Sequence, residues 1–302
     1  MHPAEPVRRT QIFTHVLDIP LLEAYNVRNT CTPFRIMKTT HFLLVCVLFF
    51  CMFADKPAAG AENESPTVLR VMSYNIHHGE GTDKVLDLAR TANVIKAWKP
   101  DLVAVQEVDR NAQRSNRGDQ PKILAELSGM HYVFGKSIDL QGGDYGLLIL
   151  SRFPILESKM IHLPQEGQRE QRGLQITRIG FPDANGKVIR FANTHLGLTQ
   201  SEREPQFARI KELLSDGDEP VILAGDFNAR PDNALVVDLL ATWKDATDPA
   251  LGKNVTPDVQ RSFGRIDFIF FRAKDPLKVL EHGTINDTVT SDHMPVFSVL
   301  TF

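Results

Sequence analysis

Val221-Ile222-Leu223-Ala224-Gly225-Asp226-Phe227-Asn228-Ala229-Arg230-Pro231-Asp232 is the stretch from which the fold can be read. Its first four residues are all apolar and stop at Gly225, the pattern of a short strand buried on both faces. Asp226 and Asn228 then stand at a strand end. Residues two apart on an extended chain point the same way, so the pair is expected to project together into the space the strand opens onto. Asp, Asn and Pro also form ordinary turns, and an Asx turn is the alternative reading of the same residues.

Working outward, strand after strand ends in a polar group. Val68 to Ser73 alternates and closes on Tyr74-Asn75. A helix is predicted over 83–99, stopped by Pro100, and a buried strand over 101–108 that carries Gln106-Glu107. A second helix is predicted over 121–129, a short strand over 131–134, and a buried strand over 145–150 that runs into Ser151-Arg152. Strands over 174–180 and 187–194 are joined through Asp183-Ala184-Asn185-Gly186, whose Asn-Gly pair signals a hairpin, and the second strand delivers His195. Helices over 202–214 and 234–240, then strands over 265–271 and 294–300 flanking Ser291-Asp292-His293, complete the chain. Helices interspersed among many strands, with hairpins, predict an α/β sandwich of mixed sheets rather than a doubly wound parallel sheet.

The first sixty residues read differently. Residues 42–53 form an apolar run too short to span a bilayer as a helix, preceded by Met37-Lys38 and followed by Ala59-Gly60-Ala61. That is the layout of a signal peptide over 37–61, with residues 1–36 ahead of the true start and a linker over 62–66. The expected destination is periplasmic or extracellular; an N-terminal membrane anchor is the alternative. All three cysteines, Cys31, Cys46 and Cys51, lie in or before this leader, so the domain over 67–302 is expected to hold no disulfide and no thiolate metal site. The net charge of −3 lacks the basic surplus usual in proteins that grip long nucleic acids. No obligate protein partner is implied, and a monomer is expected.

Asn75, Glu107, His195, Asp226, Asn228, Asp267, Asp292 and His293 all fall near strand ends. Oxygen donors such as Glu107 and Asp292 suit Mg²⁺, Mn²⁺ or Ca²⁺, and histidines beside carboxylates suit phosphate chemistry. Asp267 has a plainer reading as the partner of Arg265. Arg114, Arg152 and Arg172, with Tyr145, are candidates for clamping phosphate oxygens, with surface ion pairs as the alternative. His77 and His78 follow a site residue and read as solvent-facing loop histidines.

In order, Ser73-Tyr74-Asn75, Gln106-Glu107, Asn193-Thr194-His195-Leu196, Gly225-Asp226-Phe227-Asn228-Ala229, Arg265-Ile266-Asp267 and Ser291-Asp292-His293-Met294-Pro295-Val296 resemble the endonuclease/exonuclease/phosphatase superfamily from about Val68 to Phe302. The resemblance implies a four-layer α-β-β-α sandwich of two packed mixed sheets with the site at one edge. It implies divalent-metal-dependent hydrolysis of a phosphodiester or phosphomonoester, the substrate being nucleic acid, a phospholipid head group or a small phosphoester. By the same resemblance Glu107 binds the metal with Asn75 and Asp292, and Asp226 orients or deprotonates water. Asn228 contacts the phosphate, His293 paired with Asp267 binds it, and His195 hydrogen-bonds a phosphoryl oxygen or assists proton transfer. The other class of function is a non-catalytic binding module of this fold.

Overall fold

Alternate residues of the 221–224 run serve two different cores. Ile222 and Ala224 pack between the sheets, while Val221 and Leu223 pack beneath helices, which is why the run has no polar face. The structure, a computed structural model, describes residues 67–181, 186–256 and 264–302. The leader and linker readings, and the turn residues Asp183 to Asn185, lie outside the described residues.

Seven strands form one sheet in the order β10-β12-β13-β1-β2-β4-β3. They are β1 (Val68–Asn75), β2 (Leu102–Arg110), β3 (His131–Leu140), β4 (Gly143–Ser151), β10 (Lys253–Asn254), β12 (Lys278–Thr284) and β13 (Val296–Thr301). Six form the other, in the order β5-β6-β7-β8-β11-β9. These are β5 (Ile155–His162), β6 (Gly173–Phe181), β7 (Lys187–His195), β8 (Val221–Asp226), β9 (Trp243–Asp245) and β11 (Asp267–Arg272). Leu69, Val71, Ala104 and Ile149 from the first meet Phe181, Phe191, Ile222 and Ile269 from the second to fill the space between them.

Helices cover both outer faces. Ala92 and Ile95 of α1 (Leu88–Trp98) and Leu124 of α2 (Gln120–Ser128) pack on Met72, Val103 and Leu148. Phe207 and Ile210 of α3 (Gln200–Leu214) and Val236 of α4 (Ala234–Leu239) pack on Val221, Leu223, Phe268 and Phe270. The architecture is the four-layer sandwich expected. α1 begins at Leu88 rather than at residue 83, because Asp87 caps it by accepting from the Arg90 amide while Glu80 bridges back to Leu86. It ends on Lys99 in a left-handed conformation (φ 47°) just before Pro100.

Two crossovers fix where the strands finish. β1 runs parallel to β2 through α1, and β7 runs parallel to β8 through α3, whose first turn carries a reciprocal Thr199/Glu202 cap. Within each pair the carboxyl ends are level: Asn75 lies opposite Gln106, and His195 opposite Asp226. β11 starts antiparallel to β8 with Asp267 facing Asp226. The loop before β13 hangs from the same edge, tied by Ser291 Oγ donating to the Asn75 carbonyl at 2.8 Å.

The close approach of β7 and β8 depends on Gly225. A Cβ there would lie 2.1 Å from the Thr194 carbonyl oxygen, which is backbone and cannot rotate away. Gly225→Ala is expected to cost about 3 kcal/mol of stability; urea unfolding of the variant checks this.

Candidate active site

A β-bulge sets the first half of the site. The β2–β4 register shifts between Val105 and Val108, and Glu107 adopts φ 59°. That break in the alternation separates two side chains that a regular strand would place on opposite faces anyway but could not aim so freely. Gln106 turns into the interior, where its Nε2 donates to Asn193 Oδ1 at 2.7 Å and so pins the two sheets together under the site. Glu107 faces the cleft. Asn75 Nδ2 bridges to it, donating to Glu107 Oε1 at 3.0 Å and to Asp226 Oδ2 at 3.1 Å.

Asp226 is the hub. Its Oδ1 accepts the Asn228 amide at 2.9 Å, so the Asx turn is present. Its Oδ2 faces Asn75 and lies 3.5 Å from His195 Nε2 and 3.7 Å from His293 Nε2. One carboxylate therefore serves the turn and the cluster with separate oxygens. Asn228 does not project in parallel with Asp226; with φ 48° it turns back and donates from Nδ2 to the Leu196 carbonyl at 2.9 Å, at the cleft wall.

The two histidines are held in opposite states. His293 Nδ1 donates to Asp267 Oδ2 at 2.8 Å. Burial disfavours its charge, but Asp267 through charge and hydrogen bond, with Asp226 and Asp292 behind it, pushes His293 up to about 10. His195 is held well below its ordinary value by burial, then by the Arg172 and His293 charges. Arg172 Nη1 lies 3.0 Å from His195 Nδ1 and can only donate, so Nδ1 accepts and the ring proton sits on Nε2, toward Asp226. Burial first, then the Asp267 charge, raises Asp226 to about 7.

A cleft of about 320 Å³ opens over this cluster, walled by Arg114, Ile138, Leu140, Tyr145, Glu170 and Leu198. Arg114 stacks over the Tyr145 ring and is gripped by Asp109 through two 2.8 Å hydrogen bonds. Burial raises the Tyr145 hydroxyl well above its usual value, so it is a neutral donor.

Comparison with known proteins shows the family and the fold. The profile of the Endonuclease/Exonuclease/phosphatase family matches residues 72–293, most of the described chain. The chain belongs to that family. The endonuclease/exonuclease/phosphatase family comprises divalent-metal-dependent hydrolases of phosphoesters. The protein YbhP of Escherichia coli K12 is 29% identical over 170 residues, which cover 53% of this chain and 66%, just under two thirds, of YbhP. The structure of a family protein from Beutenbergia cavernae superposes with a TM-score of 0.65 at 25% identity, covering 78% of this chain and 72% of that one. A mannosyl-6-phosphatase from Bacteroides thetaiotaomicron shares the fold (TM-score 0.64, 20% identity, 78% of this chain and all of that one).

Against the family's implied site, Asn75, Glu107, His195, Asp226, Asn228, Asp267 and His293 lie together at one sheet edge, and Asp292 sits in the adjoining loop. Asp267 pairs with His293 rather than with Arg265, which binds Asp245 at 2.7 Å. Arg114, Arg172 and Tyr145 line the cleft. Arg152 does not: it follows the far end of β4, where Ser151 is level with Leu102, and pairs with Asp101 at 2.7 Å. An Arg that follows the end of one antiparallel strand lies beside the start of its neighbour, away from the strand end that carries Glu107, so the expectation of phosphate contact fails there. Arg152→Ala is expected to leave turnover unchanged in a steady-state assay.

Glu170 was not foreseen; it lines the cleft and holds Arg172 at 2.8 Å. Its only sequence signal was a charged run in a loop. His78 is buried rather than solvent-facing, and burial followed by the Arg114 charge lowers it to about 4.

The donor set fits a hard divalent cation. Glu107 and Asp292 offer carboxylate oxygens, Asn75 Oδ1 is a further oxygen that accepts the His77 amide at 3.0 Å, and the half-buried Glu107 has no Lys or Arg in ion-pair range among the described residues. A carboxylate aimed into a cleft without a cation of the protein's own is suited to one from solution.

Proposed function

We propose that this chain hydrolyses small phosphoesters with a divalent cation as cofactor. The observation that carries the reading is Asp226: buried, raised to about 7, and ringed by the Asn75 amide and two histidines in opposite protonation states. A carboxylate poised near neutral pH is what deprotonating a water requires. Glu107, Asn75 and Asp292 would hold the cation, which when bound neutralises charge on the phosphate oxygens.

The remaining steps belong to this chain's side chains. Asp226 Oδ2 orients the water and takes its proton as the water oxygen attacks phosphorus in line, the bond from phosphorus to the ester oxygen breaks, and the departing alkoxide takes a proton from solvent. The His293 imidazolium, kept charged by Asp267, binds a phosphoryl oxygen electrostatically. Neutral His195 offers its Nε2 proton to another, with Arg172 behind it. Asn228 and the Arg114 guanidinium shape the rest of the phosphate subsite.

The cleft's modest volume and the chain's negative charge favour a small ester over a long duplex. Plasmid DNA, sphingomyelin and a set of sugar and inositol phosphates, assayed in parallel at fixed salt, test this. Turnover of the small esters in excess of the other two supports it, and DNA nicking as the dominant activity overturns it. The leader reading further proposes export; N-terminal sequencing of the secreted chain should begin near Glu62, and an intact Met1 would contradict it.

A further inference from the structure

We infer that His77, His78 and Glu107 form an imidazole-containing site for a first-row transition dication of the Mn²⁺ to Zn²⁺ series, at the edge of the cleft and distinct in chemistry from an all-oxygen Mg²⁺ site. One ligand-capable atom from each of the three lies within 4.8 Å of the others. Two imidazoles and one carboxylate are a donor set that transition dications favour and that Mg²⁺ and Ca²⁺ do not. The site does not rest on the phosphoester reading, because it would bind the ion in a chain with no turnover.

The His77 ring is set in the tautomer a metal needs, and the His78 ring has an uncommitted nitrogen. His77 Nδ1 lies 3.1 Å from the Glu80 carbonyl oxygen, an acceptor only, so the proton is on Nδ1 and the Nε2 lone pair is left over. Donation of the far ring N–H to a backbone carbonyl is the usual support of a metal-binding histidine. His78 is 8% exposed; its Nε2 lies 4.0 Å from the Glu80 carboxylate, and its buried Nδ1 has no hydrogen-bond partner. A buried imidazole nitrogen facing nothing costs free energy unless something outside the chain meets it.

Backbone and neighbours are committed to this arrangement. His77, His78 and Gly79 have φ of 45°, 44° and 79° in succession, a conformation disfavoured for the first two. The turn is held by the His77 amide donating to Asn75 Oδ1 at 3.0 Å and by Gln120 Nε2 donating to the His78 carbonyl at 2.6 Å. Arg114, the nearby cation, is already occupied by Asp109. Glu80 supports the His77 ring through its carbonyl, its carboxylate lies 4.0 Å from His78 Nε2, and Lys84 pairs with the other carboxylate oxygen at 3.4 Å.

Co²⁺ is the probe, because its visible bands report nitrogen ligation directly. The full chain, stripped with chelator, should take up about one equivalent of Co²⁺ with strong visible absorption that Zn²⁺ displaces and millimolar Mg²⁺ does not. His77→Asn and His78→Asn, chosen because Asn tolerates positive φ, should each raise the Co²⁺ dissociation constant at least tenfold while circular dichroism stays parental. Parental Co²⁺ affinity in both folded variants would overturn the site. Should either variant fail to fold, crystals of the unsubstituted chain soaked in Zn²⁺ decide. An anomalous peak in bonding range of both imidazoles and Glu107 supports the inference, and a peak on carboxylates alone, or none, overturns it.

Discussion

Asp226→Asn should lower kcat by roughly 10²–10⁴-fold with KM little changed, because it removes the base but keeps the shape of the side chain. The same variant should be more stable than the parent at neutral pH. A carboxyl whose folded-state value is raised from 3.8 to about 7 stabilises the fold only while protonated in it. Its contribution is fully present below the unfolded value and is lost as pH rises through about 7. In EDTA, urea unfolding of the parent should therefore lose stability from pH 4 to pH 7 relative to Asp226→Asn. Equal slopes for the two proteins would show that Asp226 is not the strained group.

His293→Asn should also lower kcat, but it should act on stability in the other direction. It takes away the charge that meets the phosphoryl group, for a loss of about 10²–10³-fold in kcat. It also leaves Asp267, 6% exposed, as a buried carboxylate without its partner, at a cost of about 3 kcal/mol. Converting Asp267 to Asn in the same chain should recover stability and not activity, which separates the structural part of the effect from the catalytic part. Recovery of both would make the pair a stabilising one only. Stopped-assay kinetics with parallel denaturant titrations make the comparison.

The contrast between these two variants explains what the sequence could and could not reveal. Asp226, His195 and Asn75 were legible because each closes a strand, and parallel strands joined through helices must end on one side of their sheet. The run 221–224 was legible for the same reason: a strand sandwiched between two cores has no polar face to confuse with a helix. Strand β5 was missed because it is an edge strand whose residues 156–159 are all exposed, so burial never imposed an alternation on it. β3 extends to Leu140, well past residue 134, because it pairs with β4 along its length, a contact that composition does not announce.

Arg152 and Glu170 mark the limit more sharply. Which end of β4 faces the cleft depends on its antiparallel pairing with β2, and no local pattern encodes that. Glu170 and Arg172 sit in and beside an irregular segment before β6, and their role follows only from where His195 lies across the register. The left-handed backbone at Glu107 is likewise invisible in sequence, since glutamate does not favour it.

The most direct measurement is hydrolysis of p-nitrophenyl phosphate and bis-p-nitrophenyl phosphate by the purified chain, first stripped with EDTA and then resupplied with a divalent cation. The account predicts turnover that vanishes on stripping, returns with the cation, and is lost from Asp226→Asn under both conditions. Turnover that ignores EDTA, or a parent protein as inert as Asp226→Asn after the cation is restored, would contradict it.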